Sequence, residues 1–232
     1  MRQTIVVRWM AAVFTAMALL SAGNALAQAT TYTATTTSNY TGKTDFTAPC
    51  GVGPCQNFTL AMGPSGSFTT SSPLAANLAN ASVAASVTSF NFNDGLTTYV
   101  NTDSNVRVHR IRVTTNAAAV ITAVEILIER WESGTSPHAV GDRFSYIFLP
   151  STARRNSECF SVGVSPAGVA DSCTGENADA SSSQASGATI SWTSAAVATS
   201  TASIPTMSEW GLLLMAGLMG MGGYFALRRR TA

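Results

Sequence analysis

The sequence predicts an all-β body, arranged as an antiparallel sandwich or jelly-roll-like fold, between an N-terminal signal helix and a single C-terminal transmembrane helix. Three observations predict this. Short runs rich in Thr, Val, Ile and aromatic residues recur between turn residues, long helical periodicity is absent from the middle of the chain, and two apolar runs lie at its ends. We divide the 232 residues into a signal peptide at 1–27, a β-rich body at 28–197, a linker at 198–203 and a tail at 204–232.

The composition argues against a nucleic-acid-binding protein. Charged residues make up 11% of the chain, and residues 28–203 hold eight Lys or Arg against eleven Asp or Glu, a net charge of −3. Nucleic-acid binding depends on a basic surface that neutralises phosphates. We therefore expect no nucleic-acid partner.

The N-terminus has the organisation of a secretory signal. Arg2 and Arg8 give a positive start, residues 10–22 form a short apolar run, and Ala25 and Ala27 are the small residues of a cleavage site. The run is shorter than the roughly 20 apolar residues that span a bilayer. The pattern predicts export and cleavage after Ala27, with an uncleaved N-terminal anchor as the alternative.

Strands of the body are predicted, in chain order, at 31–40, 68–70, 87–93, 96–100, 106–113, 119–131, 144–149 and 188–192. Phe90 and Phe92 alternate on one face of their strand, and Asp94 and Gly95 then form the strongest hairpin signal in the chain. Turn chemistry explains Asp94 without calcium. The polar stretch at 174–187 is predicted to be a long loop.

The strand at 106–113 contains a phase slip. Val106 and Val108 share one face, but Ile111 and Val113 are out of register with them. A one-residue bulge at His109–Arg110 would restore a common apolar face along this strand.

The next strand, 119–131, directs its aliphatic residues inward and two carboxylates outward. Glu125 and Glu129 share the outer face, and four residues along a strand cover about 13 Å. That is too far for a glycosidase carboxylate pair, which needs about 5–9.5 Å. We expect a solvated face on which these residues pair with arginines of a neighbouring strand.

Four cysteines in an exported chain predict two disulfides. Of the three pairings that four cysteines allow, we favour the local one, Cys50–Cys55 and Cys159–Cys173. The alternative is a metal site, for which His109 and His138 are the histidines at hand. We expect no metal and no cofactor.

We find no pattern that predicts catalysis. The chain lacks a Gly-x-Ser-x-Gly elbow and a phosphate-binding Gly loop with Lys, and neither His109 nor His138, in the loop at 136–138, has an obvious nucleophile at hand. The sequence therefore predicts a protein that is not an enzyme. An envelope hydrolase remains a rival that would need convergent Asp, Glu or His side chains in a pocket.

The C-terminal tail has three consecutive parts. A motif occupies 204–211, an apolar segment that predicts a transmembrane helix covers 211–227, and three arginines follow at 228–230. The motif residues that we assign to the site are Ile204, Pro205, Thr206, Met207, Trp210 and Gly211. Arg228, Arg229 and Arg230 favour the cytoplasmic side, which leaves the body outside the inner membrane.

This tail resembles the IPTL-CTERM class of sorting tails of Gram-negative bacteria, related to the PEP-CTERM tails that exosortases read. The class signature is Ile-Pro-Thr-Leu-x-x-Trp-Gly, and Met207 stands where Leu is usual. The resemblance implies an exosortase-like membrane processing enzyme as partner. A second resemblance, carried by 66–69, 73–78 and 89–95, relates the body to those of exported proteins with PEP-CTERM-like tails.

We expect an exported, membrane-anchored or surface-sorted protein with a structural or interactive role in the bacterial envelope, with extracellular matrix or polysaccharide as candidate partners. The first rival is a carbohydrate- or ligand-binding module on the same scaffold. Exposed aromatic residues such as Tyr99, Trp131 or Tyr146 on one face would favour it. The envelope hydrolase is the second rival, and a periplasmic domain with a simple tail anchor and no sorting is the fallback.

Overall fold

The computed structural model describes residues 28–49 and 56–197, together with Gly211 and residues 215–219. The described body consists of antiparallel strands, with one short 3₁₀ helix at Ala84–Ser86. The all-β prediction is confirmed. The chain divides into two compact units, the first ending at Val197 and the second beginning at Ala198.

The smaller sheet has five strands in the order β13-β1-β3-β5-β6. Its strands are β1 (Thr30–Ser38), β3 (Ser65–Thr70), β5 (Val87–Asn93), β6 (Thr98–Val100) and β13 (Thr189–Ala196). Alternate residues are buried along these strands, Thr30, Tyr32 and Ala34 on β1 and Phe68 and Thr70 on β3, as expected for a strand with one face toward the core.

The larger sheet has eight strands, with the order β2-β12-β10-β9-β8-β7-β4 and β11 paired to β10. Its strands are β2 (Gly42–Thr44), β4 (Ala81–Ser82), β7 (Val106–Thr115), β8 (Ile121–Trp131), β9 (Arg143–Leu149), β10 (Thr152–Gly163), β11 (Ser172–Asn177) and β12 (Ser183–Ser186). The centre is a meander of four successive strands, β7 to β10. Jelly-roll connectivity stays a prediction.

The main core lies between the two sheets. Both contribute side chains that are buried in one cluster: Tyr32, Phe68, Phe90, Phe92 and Tyr99 from the smaller sheet, and Ile111, Val113, Ile126, Ile128, Ile147 and Leu149 from the larger. Each such side chain stabilises the fold by roughly 1.5–3 kcal/mol on burial. The inward alternation predicted for 87–93 and 119–131 is confirmed.

The predicted hairpin is present, but its second strand begins later than expected. Asn93 pairs with Thr98, so the turn contains four residues. The Asp94 carboxylate accepts the backbone N–H groups of Leu96 and Thr97, at 2.8 and 2.7 Å. Those two groups are therefore not available to the ladder, and the strand starts at Thr98.

The predicted bulge on β7 is confirmed. Val108 pairs with Ile128, whereas Arg110 pairs with Leu127, so His109 is the extra residue. The bulge keeps Val108 and Ile111 against the core. It also turns His109 to the other face of the sheet, where the side chain is buried.

The long loop predicted at 174–187 is wrong. The segment contains most of β11 and all of β12, which pair with opposite ends of β10. These strands bury small residues such as Ser183 and Ala185, so they lack the large apolar alternation that marks a strand in a sequence. Their partner β10 was missed for a related reason, because the bulge at Arg155 and Asn156 breaks its period.

Several predictions lie outside the described residues. They are the signal peptide with Ala25 and Ala27, the pair Cys50–Cys55, the linker at 198–203, and the tail except for Gly211 and residues 215–219. Those described tail residues are helical and exposed. In the part of the chain that the structure describes, no helix has the length and apolarity needed to cross a membrane. The domain boundaries drawn from the sequence stay predictions.

Candidate functional site

The outer face of the larger sheet carries a second, smaller apolar cluster. It contains Trp131, Phe144, Cys159 and Cys173, all buried. Cys159 and Cys173 form a disulfide with a Cα–Cα distance of 5.7 Å, which confirms one of the two predicted bridges. The bridge joins β10 to β11 and so fixes β11 beside the outer face.

An open groove of about 600 Å³ lies on this outer face, and we call it the outer groove. Its floor is formed by β7, β8 and β9, and its walls by residues 164–166 and by β11. Ligand pockets in proteins commonly measure about 300–1,000 Å³. The outer groove is thus large enough for an organic ligand and is open to solvent.

A buried carboxylate lies at the floor of the outer groove. Glu129 is only 1% exposed, and its Oε2 lies 2.8 Å from Nε2 of His109. Its Oε1 accepts the backbone N–H of Cys173 at 2.9 Å. The expectation that Glu129 lies on a solvated face is therefore wrong, because the disulfide-linked β11 covers this part of the sheet.

Glu125 behaves as the sequence predicted. It forms an ion pair with Arg110 of the neighbouring strand, with 2.7 Å between Oε1 and Nε and about a third of each side chain exposed. The two glutamates thus differ in environment although they share a strand face.

Three aromatic residues of β9 alternate along the outer groove: Phe144, Tyr146 and Phe148. The ring centroids of Phe144 and Tyr146 are 6.2 Å apart. A guanidinium group lies over each of the last two rings, with Cζ of Arg154 5.6 Å from the Tyr146 centroid and Cζ of Arg110 5.5 Å from the Phe148 centroid. The groove therefore combines a row of rings with flanking cations.

Each flanking cation has an acidic partner. Arg154 donates to Glu176 at 2.6 Å, and Tyr146 donates its hydroxyl to the same carboxylate at 3.2 Å. Burial, together with the nearby Glu176 charge, raises the pKa of Tyr146 to about 12. The phenol therefore remains a hydrogen-bond donor at neutral pH, and the charges around the rings cancel in pairs.

The segment that walls the groove is held at its end by Asp171. The carboxylate accepts hydrogen bonds from Arg107, Ser136 and the backbone N–H of His138, at 2.8, 2.9 and 2.6 Å. The ring of His138 lies 2.9 Å from the same carboxylate and stacks on Trp131 with centroids 4.3 Å apart. His138 is therefore a packing residue that supports the groove wall.

Two of the three aromatic residues proposed from the sequence as exposed ligand-binding positions are buried. Tyr99 is 0% and Trp131 1% exposed, so neither meets the condition under which it would favour a ligand-binding module. Tyr99 belongs to the main core and donates its hydroxyl to Asp94, while Trp131 donates its indole N–H to the Asp171 carbonyl. Tyr146 alone of the three lines the groove.

Asp94 is completely buried beneath the hairpin. Burial raises its pKa to about 6, although the N–H groups of Thr97 and Leu96, the Tyr99 hydroxyl and the positive charge of Arg155 act in the opposite direction. Ionised Asp94 therefore lowers the stability of the folded state at neutral pH.

This burial predicts that stability rises on mild acidification. Below pH 6 the folded protein takes up a proton at Asp94 that the unfolded chain, with a pKa of 3.8, does not yet bind. Its contribution to the free energy of unfolding should increase by about 2 kcal/mol from pH 7 to pH 4. Urea unfolding across this range measures the effect, and Asp94→Asn should remove it. If the free energy of unfolding of the Asn variant varied with pH as much as that of the wild type, the effect would not originate at Asp94.

The described residues contain no group of three or more His, Cys, Asp or Glu side chains placed to hold a metal ion. The histidines that the sequence offered as metal ligands, His109 and His138, lie against separate carboxylates, Glu129 and Asp171. The geometry in this part of the chain favours hydrogen-bonded pairs over a metal site.

Sequence reasoning missed the outer groove. The aromatic alternation at 144–148 was a usable signal, since every second residue of a strand faces the same side. No sequence signal identified Glu176 and Arg154 as groove residues, because their strands were not predicted.

Comparison with known proteins finds one family. Residues 202–230 match the IPTL-CTERM motif, which contains the predicted site residues from Ile204 to Gly211 and the three arginines. The resemblance noted from the sequence is confirmed over this segment. Neither the curated proteins nor the solved structures contain a match to the chain.

Proposed function

We propose that this chain is an exported, non-enzymatic protein of the bacterial envelope or extracellular matrix, whose tail is recognised and cleaved by an exosortase-like membrane enzyme. The IPTL-CTERM motif at 202–230 carries the proposal, since it indicates a C-terminal sorting signal. A plain anchor needs only apolar length, whereas this tail has a defined motif in front of its apolar segment.

The motif has residue types suited to a processing site. Pro205 has no N–H group and biases Ile204 toward an extended conformation, which separates the motif from a following helix. Trp210 suits the membrane–water interface, and the terminal arginines favour the cytoplasmic side. An enzyme embedded in the inner membrane would therefore meet the motif at the outer surface.

The disulfide supports export of the body. Cys159 and Cys173 are bridged, and stable bridges are typical of oxidising compartments outside the cytoplasm. This supports a body that works beyond the inner membrane.

The engaged state of the groove carboxylates supports a non-enzymatic role. Glu129 is shared between His109 and a backbone N–H, and Glu176 is held by Arg154 and Tyr146. Hydrolases need an acid, base or nucleophile that is available to substrate. These contacts suit binding or structural work better than catalysis.

The proposal predicts a mature form shortened at both ends. Intact mass of the protein from the native host should give a species that begins at Gln28, ends near 204–207, and is found at the surface or in the medium. Alanine at Ile204, Pro205 and Thr206 together should leave the tail attached, because the processing enzyme would lose its recognition sequence.

The matched control is alanine at Thr199, Ser200 and Thr201, three substitutions in the linker that should leave processing unchanged. A wild-type protein that keeps residues 212–232 and stays in the inner membrane would overturn the proposal and leave a simple tail-anchored domain. Equal processing of the motif variant and the wild type would overturn recognition of this motif.

A further inference from the structure

The outer groove has features of a ligand site that sorting alone does not explain. It is open, measures about 600 Å³ and lies on a face of the larger sheet opposite the main core. A solvated sheet face normally carries scattered polar side chains, whereas here three alternate positions of β9 are aromatic. We propose that the outer groove binds a neutral oligosaccharide.

The row of rings supplies the apolar half of such a site. The C–H groups of a pyranose form apolar patches that pack on aromatic side chains, while the hydroxyls point away around the edge of the sugar. Tyr146 and Phe148 are partly exposed and follow one another along the strand, at a repeat of about 6.6 Å for alternate residues, whereas Phe144 at the preceding alternate position is buried. A linear sugar chain can therefore lie along β9 and meet more than one ring.

The charged pairs supply the polar half. Arg154 with Glu176, and Arg110 with Glu125, place a guanidinium donor next to a carboxylate acceptor on either side of the rings. A sugar hydroxyl is both donor and acceptor, so it can bond to both members of a pair. About a third of the Glu176 side chain is exposed, so part of this ion pair lies at the surface of the groove.

The charge balance identifies a neutral ligand. Each of these arginines already lies against a carboxylate, so a polyanion would find no uncompensated cation in the described groove and would meet Glu176 and Glu125. A purely apolar ligand, such as an acyl chain, would remove these pairs from water without replacing their hydrogen bonds. A neutral polyhydroxylated chain avoids both costs.

The test uses the purified full-length protein in detergent and isothermal titration calorimetry. The probes are neutral hexasaccharides (cellohexaose, laminarihexaose, maltohexaose, mannohexaose and chitohexaose), with hexagalacturonate as the charged comparison. We expect at least one neutral hexasaccharide to bind at least ten-fold more tightly than hexagalacturonate. Its affinity should change less than two-fold between 0.05 and 0.5 M NaCl, because screening affects only charged ligands strongly.

Two variants localise binding. Phe148→Ala removes a ring, and Glu176→Gln keeps the side-chain size while it removes the acceptor charge; each should weaken binding at least ten-fold. Leu60→Ala is the control, since this exposed apolar side chain lies outside the residues that line the groove. Thermal unfolding of each variant checks that it is folded. If Phe148→Ala is unstable, the affinity of Glu176→Gln alone tests whether the ligand binds in the outer groove.

Three results would overturn the inference. One is that no neutral hexasaccharide binds, another is that hexagalacturonate binds more tightly, and the third is that Glu176→Gln binds as well as wild type. Because these measurements do not depend on tail processing, they separate failure of the groove from failure of the sorting proposal.

Discussion

Replacing Glu129 by alanine is expected to lower the free energy of unfolding by about 4 kcal/mol, because this carboxylate is buried and makes two polar contacts, and hydrogen bonds to charged groups contribute about 1.5–3 kcal/mol each. Its Oε2 lies 2.8 Å from the ring of His109, and its Oε1 accepts the Cys173 N–H at 2.9 Å. The substitution leaves both partners without their acceptor in a site that is almost closed to water. It also leaves a cavity between β8 and the disulfide-linked β11.

Glu125→Ala is the matched control for this prediction. It removes the same side chain from the same strand face, but the ion pair of Glu125 with Arg110 is about a third exposed on both sides. Exposed pairs of this kind contribute about 0–1 kcal/mol. Urea unfolding of the two variants at pH 7 measures the difference, and equal losses would contradict the buried role assigned to Glu129.

The difference between these glutamates shows which of their properties could be predicted from the sequence. Alternation on β8 placed both on the outer face, which is correct, because the period of a strand is a local property. Exposure of Glu129 to solvent depends on β11, more than forty residues later in the chain, because its Cys173 donates a backbone N–H to Glu129 and forms a disulfide with Cys159 of β10. No local pattern contains that information.

Local rules succeeded elsewhere when the signal lay within one strand or turn. The bulge at His109 was predicted because Val108 and Ile111 had to share a core face. The hairpin at Asp94 was predicted because Asp-Gly favours a tight turn. The outer groove required the pairing of β9 with β8 and β10 and the return of β11, so its charged partners did not emerge from the sequence.

The two functional proposals concern different parts of the chain and fit together. The IPTL-CTERM motif at 202–230 indicates where the protein is sent, and the outer groove is a surface that the delivered body presents. A sugar-binding body at the cell surface would hold the protein to polysaccharide after its tail is removed. Under the two proposals, release of the tail would precede attachment through the groove, and separate experiments test each step.

Asp171→Asn is expected to lower the free energy of unfolding by about 3 kcal/mol at pH 7. The carboxylate accepts charge-assisted hydrogen bonds from Arg107 and bonds from Ser136 and the His138 N–H, and removing such buried or half-buried bonds costs about 1.5–3 kcal/mol each without strict additivity. Asn keeps the side-chain size and tolerates the positive φ of 60° at this position. The loss therefore reports the charge and not backbone strain.

The pH dependence of this effect has a defined sign. Burial alone would raise the pKa of Asp171, but the hydrogen bonds from His138, Arg107 and Ser136 outweigh it and hold the pKa well below the usual 3.8. Its stabilising contribution is thus complete above about pH 4 and is lost as the pH falls toward the lower value of the folded state. Between pH 5 and pH 3 the wild type should lose about 1 kcal/mol that Asp171→Asn does not lose.

Asp103→Asn is the control, since Asp103 bonds to Arg130 in a pair whose side chains are 34% and 24% exposed. We expect a loss below about 1 kcal/mol for that variant. A small loss for Asp171→Asn as well would mean that residues 164–171 keep their position without this carboxylate. The binding of a neutral hexasaccharide would then survive the substitution, whereas a wall that depends on Asp171 should lose affinity and stability together.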